Sequence, residues 1–160
     1  MFNYTPLNSG ILKAFFAVVV IFLSSVSQAA VDTETNENSI ILAGHDAVAY
    51  FTQGKPVVGK NSITAVYNDA IYQFSSIKNR DTFINNPKKY APAYGGFCAY
   101  GMTFGKKFKI DGKAFEVVDG VLYVNKNIDV YHAWKEDVPK HLQEANSAWP
   151  KVNMIAAEKL

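Results

Sequence analysis

An α+β fold, with short antiparallel β-hairpins packed against helices, is what this sequence predicts. Two observations carry the prediction. Residues 62–67 and 70–74 are apolar-alternating runs around Asn68-Asp69, and residues 114–118 and 121–124 flank Asp119-Gly120, the strongest hairpin signal in the chain. After each hairpin comes a capping residue, Ser75 or Ser76 and then Asn127, followed by an amphipathic stretch.

Residues 31–39 are polar and read as a flexible leader, so the ordered domain is expected over 40–150. Asp46 precedes Ala-Val-Ala-Tyr-Phe and suits the start of a short helix, where its carboxylate accepts from free N–H groups. Gly54, Pro56 and Gly59 mark a loop. A helix through about Asn86 presents Ile77, Phe83 and Ile84 and is stopped by Pro87. Pro92 and the glycines after it predict an irregular loop over 90–105. Val130, Tyr131 and Trp134 define another helix, and Pro139 predicts a break into two, about 128–136 and 139–147, ended by Trp149-Pro150. Residues 151–160 form a tail. No internal repeat is expected.

Composition bounds the function. A 160-residue chain that is 49% hydrophobic suits one domain with one core. Sixteen basic and fourteen acidic residues leave a net charge of +2, which gives nucleic acid no footing as a partner. Lys106, Lys107 and Lys109 read as a solvated edge.

The first 29 residues read as a signal peptide. Lys13 precedes the apolar run Ala14–Leu23, and Ser27 and Ala29 occupy the −3 and −1 positions of a cleavage site. The run is short against the roughly 20 residues of a membrane helix, so no stable membrane insertion is expected after cleavage. The predicted destination is the periplasm or the exterior.

Export bears on Cys98, the single cysteine. It lies in Tyr-Ala-Pro-Ala-Tyr-Gly-Gly-Phe-Cys-Ala-Tyr-Gly-Met, residues 90–102. One cysteine forms no disulfide within its own chain. The thiol is then buried and inert, ligated, reactive, or paired with another molecule.

Asp46-Ala-Val-Ala-Tyr-Phe, Tyr72-Gln-Phe-Ser-Ser-Ile-Lys-Asn79, and the Phe83, Pro87, Tyr90 series together resemble the YHS domain. With Gly44-His45-Asp46 and Tyr94-Gly-Gly-Phe-Cys-Ala-Tyr-Gly, the chain is similar to exported YHS-domain-containing proteins of bacteria. The resemblance implies a YHS-like fold with no assigned function, and it brings in metal binding through the YHS domains of copper-transporting ATPases. The family's cysteine positions carry Ala49, Ser75 and Asn79 here, and none is a thiolate. A metal site must therefore differ from the family's.

The candidate donors are Cys98, Met102, His45 and Asp46, with His132 further off. Thiolate, thioether and imidazole together suit copper, above all Cu(I). The alternatives are a cysteine-dependent enzyme, with His45 or His132 as base oriented by Asp46 or Asp129, and an interaction domain whose Cys98 is inert. His141 reads as exposed on its helix. Tyr50, Tyr90, Tyr94, Phe97, Tyr100 and Phe104 are candidates to line a small-ligand pocket or to form the core.

The processing expectation is directly measurable. Intact-mass analysis of exported protein gives a chain beginning at Ala30; a mature species that retains Met1 or Phe2 refutes cleavage after Ala29.

Overall fold

The structure is a computed structural model that describes Met1 and residues 30–160. The segment read as a signal peptide lies outside the described residues. The fold is α+β. In chain order it runs α1 (Ala47–Thr52), β1 (Lys60–Tyr67), β2 (Ala70–Phe74), α2 (Ile77–Asn85), α3 (Pro87–Tyr90), α4 (Ala99–Thr103), β3 (Asp111–Val118), β4 (Val121–Asn125), α5 (Ile128–Lys135) and α6 (Val138–Val152). A 3-10 turn precedes α1 at Leu42–Gly44 and another precedes α4 at Ala93–Gly96.

The hairpins form where the turn dipeptides put them. Asn68 and Asp69 both have positive φ, as do Asp119 and Gly120. Turns of this hand match the twist of the strands they join. Ser76 caps α2 through the Asn79 N–H, and Asn127 caps α5 through the Val130 N–H.

Three elements differ from expectation, each for a local reason. Pro87 ends one helix by starting another, at the first position of α3, where its missing N–H costs nothing. The segment 90–105, expected as loop, holds the second 3-10 turn and α4, because Pro92 sits outside the turn and Cys98 caps the helix. Asp137 caps α6, which then continues through Pro150 to Val152. Trp149 and Val152 pack on the core from that last turn. Their burial offsets the one hydrogen bond that proline removes.

Against the expectation of no internal repeat, the chain contains one. β1 pairs with β2 as Tyr67↔Ala70, Val66↔Ile71, Ala65↔Tyr72 and Thr64↔Gln73, then breaks register before Lys60↔Phe74. β3 pairs with β4 as Val118↔Val121, Val117↔Leu122, Glu116↔Tyr123 and Phe115↔Val124, then breaks register before Asp111↔Asn125. Every pair lies 51 residues after its counterpart. The correspondence extends outward: caps Ser76 and Asn127, exposed Ile77 and Ile128, buried Phe83 and Trp134. Upstream, the parallel bridge Ile40↔Ile71 recurs as Pro92↔Leu122. Positive φ at Leu42, Ala43 and Gly44 recurs at Tyr94, Gly95 and Gly96. The two halves make two cores, one around Leu42, Tyr50, Phe74 and Phe83, the other around Tyr94, Met102, Tyr123 and Trp134.

Residues 32–34, read from the sequence as leader, lie against the second half, and Thr35 and Asn36 turn back onto Ile41 and Ile40. Asp32 donates its N–H to the Asn153 carbonyl and Glu34 donates to the Gly95 carbonyl, both at 2.8 Å. A Cβ on Gly95 would stand 2.4 Å from the Asp32 carbonyl oxygen, so the glycine is what lets the arm in. Lys107 is buried rather than part of a solvated edge. Its ammonium meets the Asp32 carboxylate at 3.0 Å and the carbonyls of Asn153 and Ile155, above the rings of Phe97 and Trp149. One cation thus ties the N-terminal arm to the C-terminal tail.

Glu34 makes this arm sensitive to pH. Burial pushes its carboxyl from 4.5 up to about 7, against the pull of Lys109. Lys107, Asp32 and Glu158 line the same recess. An acid with a raised pKa in the fold favours the folded state while protonated. That stability is complete below pH 4.5, falls as pH rises toward 7, and is lost above it. Urea melts between pH 4.5 and 7 should show a slope of up to about 1.4 kcal/mol per pH unit. Glu34→Gln should flatten it; an unchanged slope in the variant removes Glu34 as its source.

Candidate functional site

The repeat places Asp46 and Cys98 in the same structural position. Each comes after a 3-10 turn of left-handed residues, each caps a short helix, and each takes backbone bonds from the helix start and from the end of the next hairpin. The Asp46 Oδ1 atom accepts from the N–H groups of Val48 at 2.9 Å and Ala49 at 3.2 Å. Its Oδ2 accepts from the Ser75 N–H at 2.8 Å, the Ser75 hydroxyl at 2.6 Å and the Asn79 amide at 2.7 Å. The carboxylate is fully buried, and five donors fill both oxygens.

Cys98 repeats this with sulfur. The Gly101 N–H donates to its Sγ at 3.4 Å, and the N–H groups of Tyr100 and Lys126 also point at it. Tyr100, Gly101 and Lys126 are the counterparts of Val48, Ala49 and Ser75. The thiol in turn reaches the Asn125 Oδ1 at 3.6 Å, and that oxygen also takes the Tyr100 N–H at 3.1 Å. Cys98 is 1% exposed. Burial pushes its pKa up, and the three N–H groups and the Lys126 charge pull it only part of the way back.

The sequence candidates for metal binding do not gather. Among the described residues, no three side chains of His, Cys, Asp and Glu come together to hold a metal ion, so Cys98, His45 and Asp46 form no such group. The lone pairs of Asp46 are taken by its five donors. The His45 Nδ1 carries its proton toward the Leu42 carbonyl at 3.0 Å, and the ring packs so closely on Gly112 that a Cβ there would lie 2.3 Å from Nδ1. Met102 is buried in the second core with Trp134. This donor set does not fit a Cu(I) site.

Among the described residues, no histidine or carboxylate hydrogen-bonds the thiol. The groups around the sulfur are Asn125, Gly101, Tyr100 and Lys126, none of them a histidine or carboxylate. His132 is exposed on α5. His141, expected on the surface, is buried: its Nδ1 donates to the Trp134 carbonyl at 2.8 Å and its ring stands edge-on to Tyr100. The six aromatic candidates do not share one pocket. Tyr50 and Tyr90 belong to the first core, Tyr94 to the second, and Phe104 is exposed.

Ala49, Ser75 and Asn79, three positions singled out in the sequence, do converge. All three donate to Asp46. They form a polar cluster around its carboxylate. Sequence reasoning missed Asn125 and Lys107. The spacing of 51 residues between the two turn dipeptides and their caps was a signal for Lys126, the counterpart of Ser75, but not for Asn125, whose counterpart is the core residue Phe74. Comparison with family models, curated proteins and solved structures returned no match. No helix among the described residues is long and apolar enough to cross a membrane.

The Asp46 cluster has a measurable weight. A helix cap alone is worth about 1 kcal/mol. Asp46→Ala also strips buried donors of their acceptor, so denaturant melts should show a loss of at least about 3 kcal/mol. A loss near 1 kcal/mol would reduce Asp46 to a simple cap.

Proposed function

We propose that this chain is an exported, YHS-like domain that works by binding rather than by catalysis, with Cys98 as a framework thiol. One observation carries the reading: Cys98 occupies the structural position of Asp46 and does the same work. Both close a helix start and tie it to the strand end of the next hairpin. A thiol engaged in this way, buried and with a raised pKa, stays protonated at neutral pH and makes a poor nucleophile and a poor ligand. The convergence of Ala49, Ser75 and Asn79 on Asp46 supports the YHS-like assignment, since these are the positions that the resemblance gives to cysteine. The fully satisfied cluster at Asp46 supports a structural use of that place here.

The test is thiol alkylation. Iodoacetamide should label Cys98 in the native protein at least about a thousandfold more slowly than in urea, because labelling then waits on opening of the fold. Native labelling at a rate near that of the unfolded chain would overturn the framework role and restore a reactive cysteine.

A further inference from the structure

A cavity of about 210 Å³ lies beneath the N-terminal arm, at the junction of the two halves. Val31 and Thr33 of the arm form one wall, while Asp32 reaches toward Lys107. This alternation is that of an extended segment with two unlike faces. Tyr72 comes from the first half, and Tyr94 and Trp149 from the second. The last two rings are 6.0 Å apart and edge-to-face. Among the described residues, no charged side chain lines the space.

One buried residue of this wall has a polar group without a partner among the described residues. Tyr72 is 3% exposed, and its hydroxyl makes no hydrogen bond to the described residues. Burial first, and then the neighbouring Tyr67, hold its pKa well above the ordinary phenol range, so it remains a neutral donor. The Tyr94 hydroxyl, by contrast, is engaged by Asn146 at 2.9 Å. Asn68 supplies the other polar edge.

We propose that this cavity binds a neutral, single-ring aromatic molecule carrying a hydrogen-bond acceptor, with arm residues 31–34 as its lid. The proposal rests on the reading of the chain as a binding domain. The size sets the ring count: the space equals that of roughly seven waters of bulk liquid, below that of a drug-sized pocket. The edge-to-face pair at Tyr94 and Trp149 favours a third aromatic ring. The lack of any lining charge rejects carboxylates and amines, which would be buried without a partner. The acceptor meets the Tyr72 hydroxyl, taking the place of the solvent that reaches it through the cavity.

The probe is 4-fluoroacetophenone, read by fluorine NMR on the full chain. Wild type should give a saturable shift that unlabelled acetophenone competes away. 4-Fluorobenzoate, of similar size but charged, should bind at least about tenfold more weakly. Tyr72→Phe should weaken binding roughly fivefold, the worth of one neutral hydrogen bond. Ala91→Met, which fills the cavity from its lining, should abolish it. No saturable shift with wild type, or equal affinity in wild type and both variants, overturns the site. Slow alkylation of Cys98 alongside a failed titration leaves the non-catalytic reading intact and removes only the ligand; fast alkylation removes that reading whatever the fluorine signal shows.

Discussion

A side-chain acceptor placed at the start of a short helix, and reached from the end of the next hairpin, is the constraint on which both halves depend. Without it the helix start would keep unpaired N–H groups in a dry interior, where each is costly. In the first half the acceptor is a carboxylate, with two oxygens and room for five donors. In the second it is a sulfur atom, a weak acceptor served by three backbone N–H groups. The difference shows in what surrounds them. Ser75 and Asn79 bring side-chain donors to Asp46. Their counterparts Lys126 and Val130 bring none, and the thiol instead donates to the Asn125 Oδ1 at the strand end.

The cost of the second arrangement is visible. The Asn125 Nδ2 finds no partner among the described residues, and neither does the buried Trp134 Nε1. Among the described residues, no fully enclosed side-chain polar atom of the first half is left over in this way. The first hairpin also carries the aromatic packing of Tyr67, Tyr72 and Phe74 on Phe83. The halves lean on each other as well: the Tyr50 hydroxyl donates to the Gly112 carbonyl at 2.7 Å, and its ring packs on Phe115. Two small cores, each too small to stand alone with ease, share a boundary.

Much of the fold was legible because its signals are local. Asn68-Asp69 and Asp119-Gly120 demand positive φ, and Ser76 and Asn127 cap the helices behind them. Asp46 as a cap was legible for the same reason. The repeat was not, because register and backbone hand are kept between the halves while side chains are not: Phe83 faces the first core and Trp134 the second. A lone thiol among glycines reads as chemistry in one dimension, since nothing in the sequence puts Gly101 and Lys126 around it. Lys107 was misread through its neighbours Lys106 and Lys109. Its partners, Asp32, Asn153 and Ile155, come from both ends of the domain.

Holding both ends on one ammonium has a topological result. The arm and the tail leave the domain side by side, so the path from Asp32 around to Asn153 is nearly a closed ring. Such a ring has no obligatory start. A short linker between the ends would let the chain be cut instead in the loop between α4 and β3; the first half would then keep its hairpin and helices in sequence, while α4 would be parted in sequence from β3 and β4. The order in which the halves are synthesised is thus a matter of where the ring is opened, while Lys107 keeps it shut.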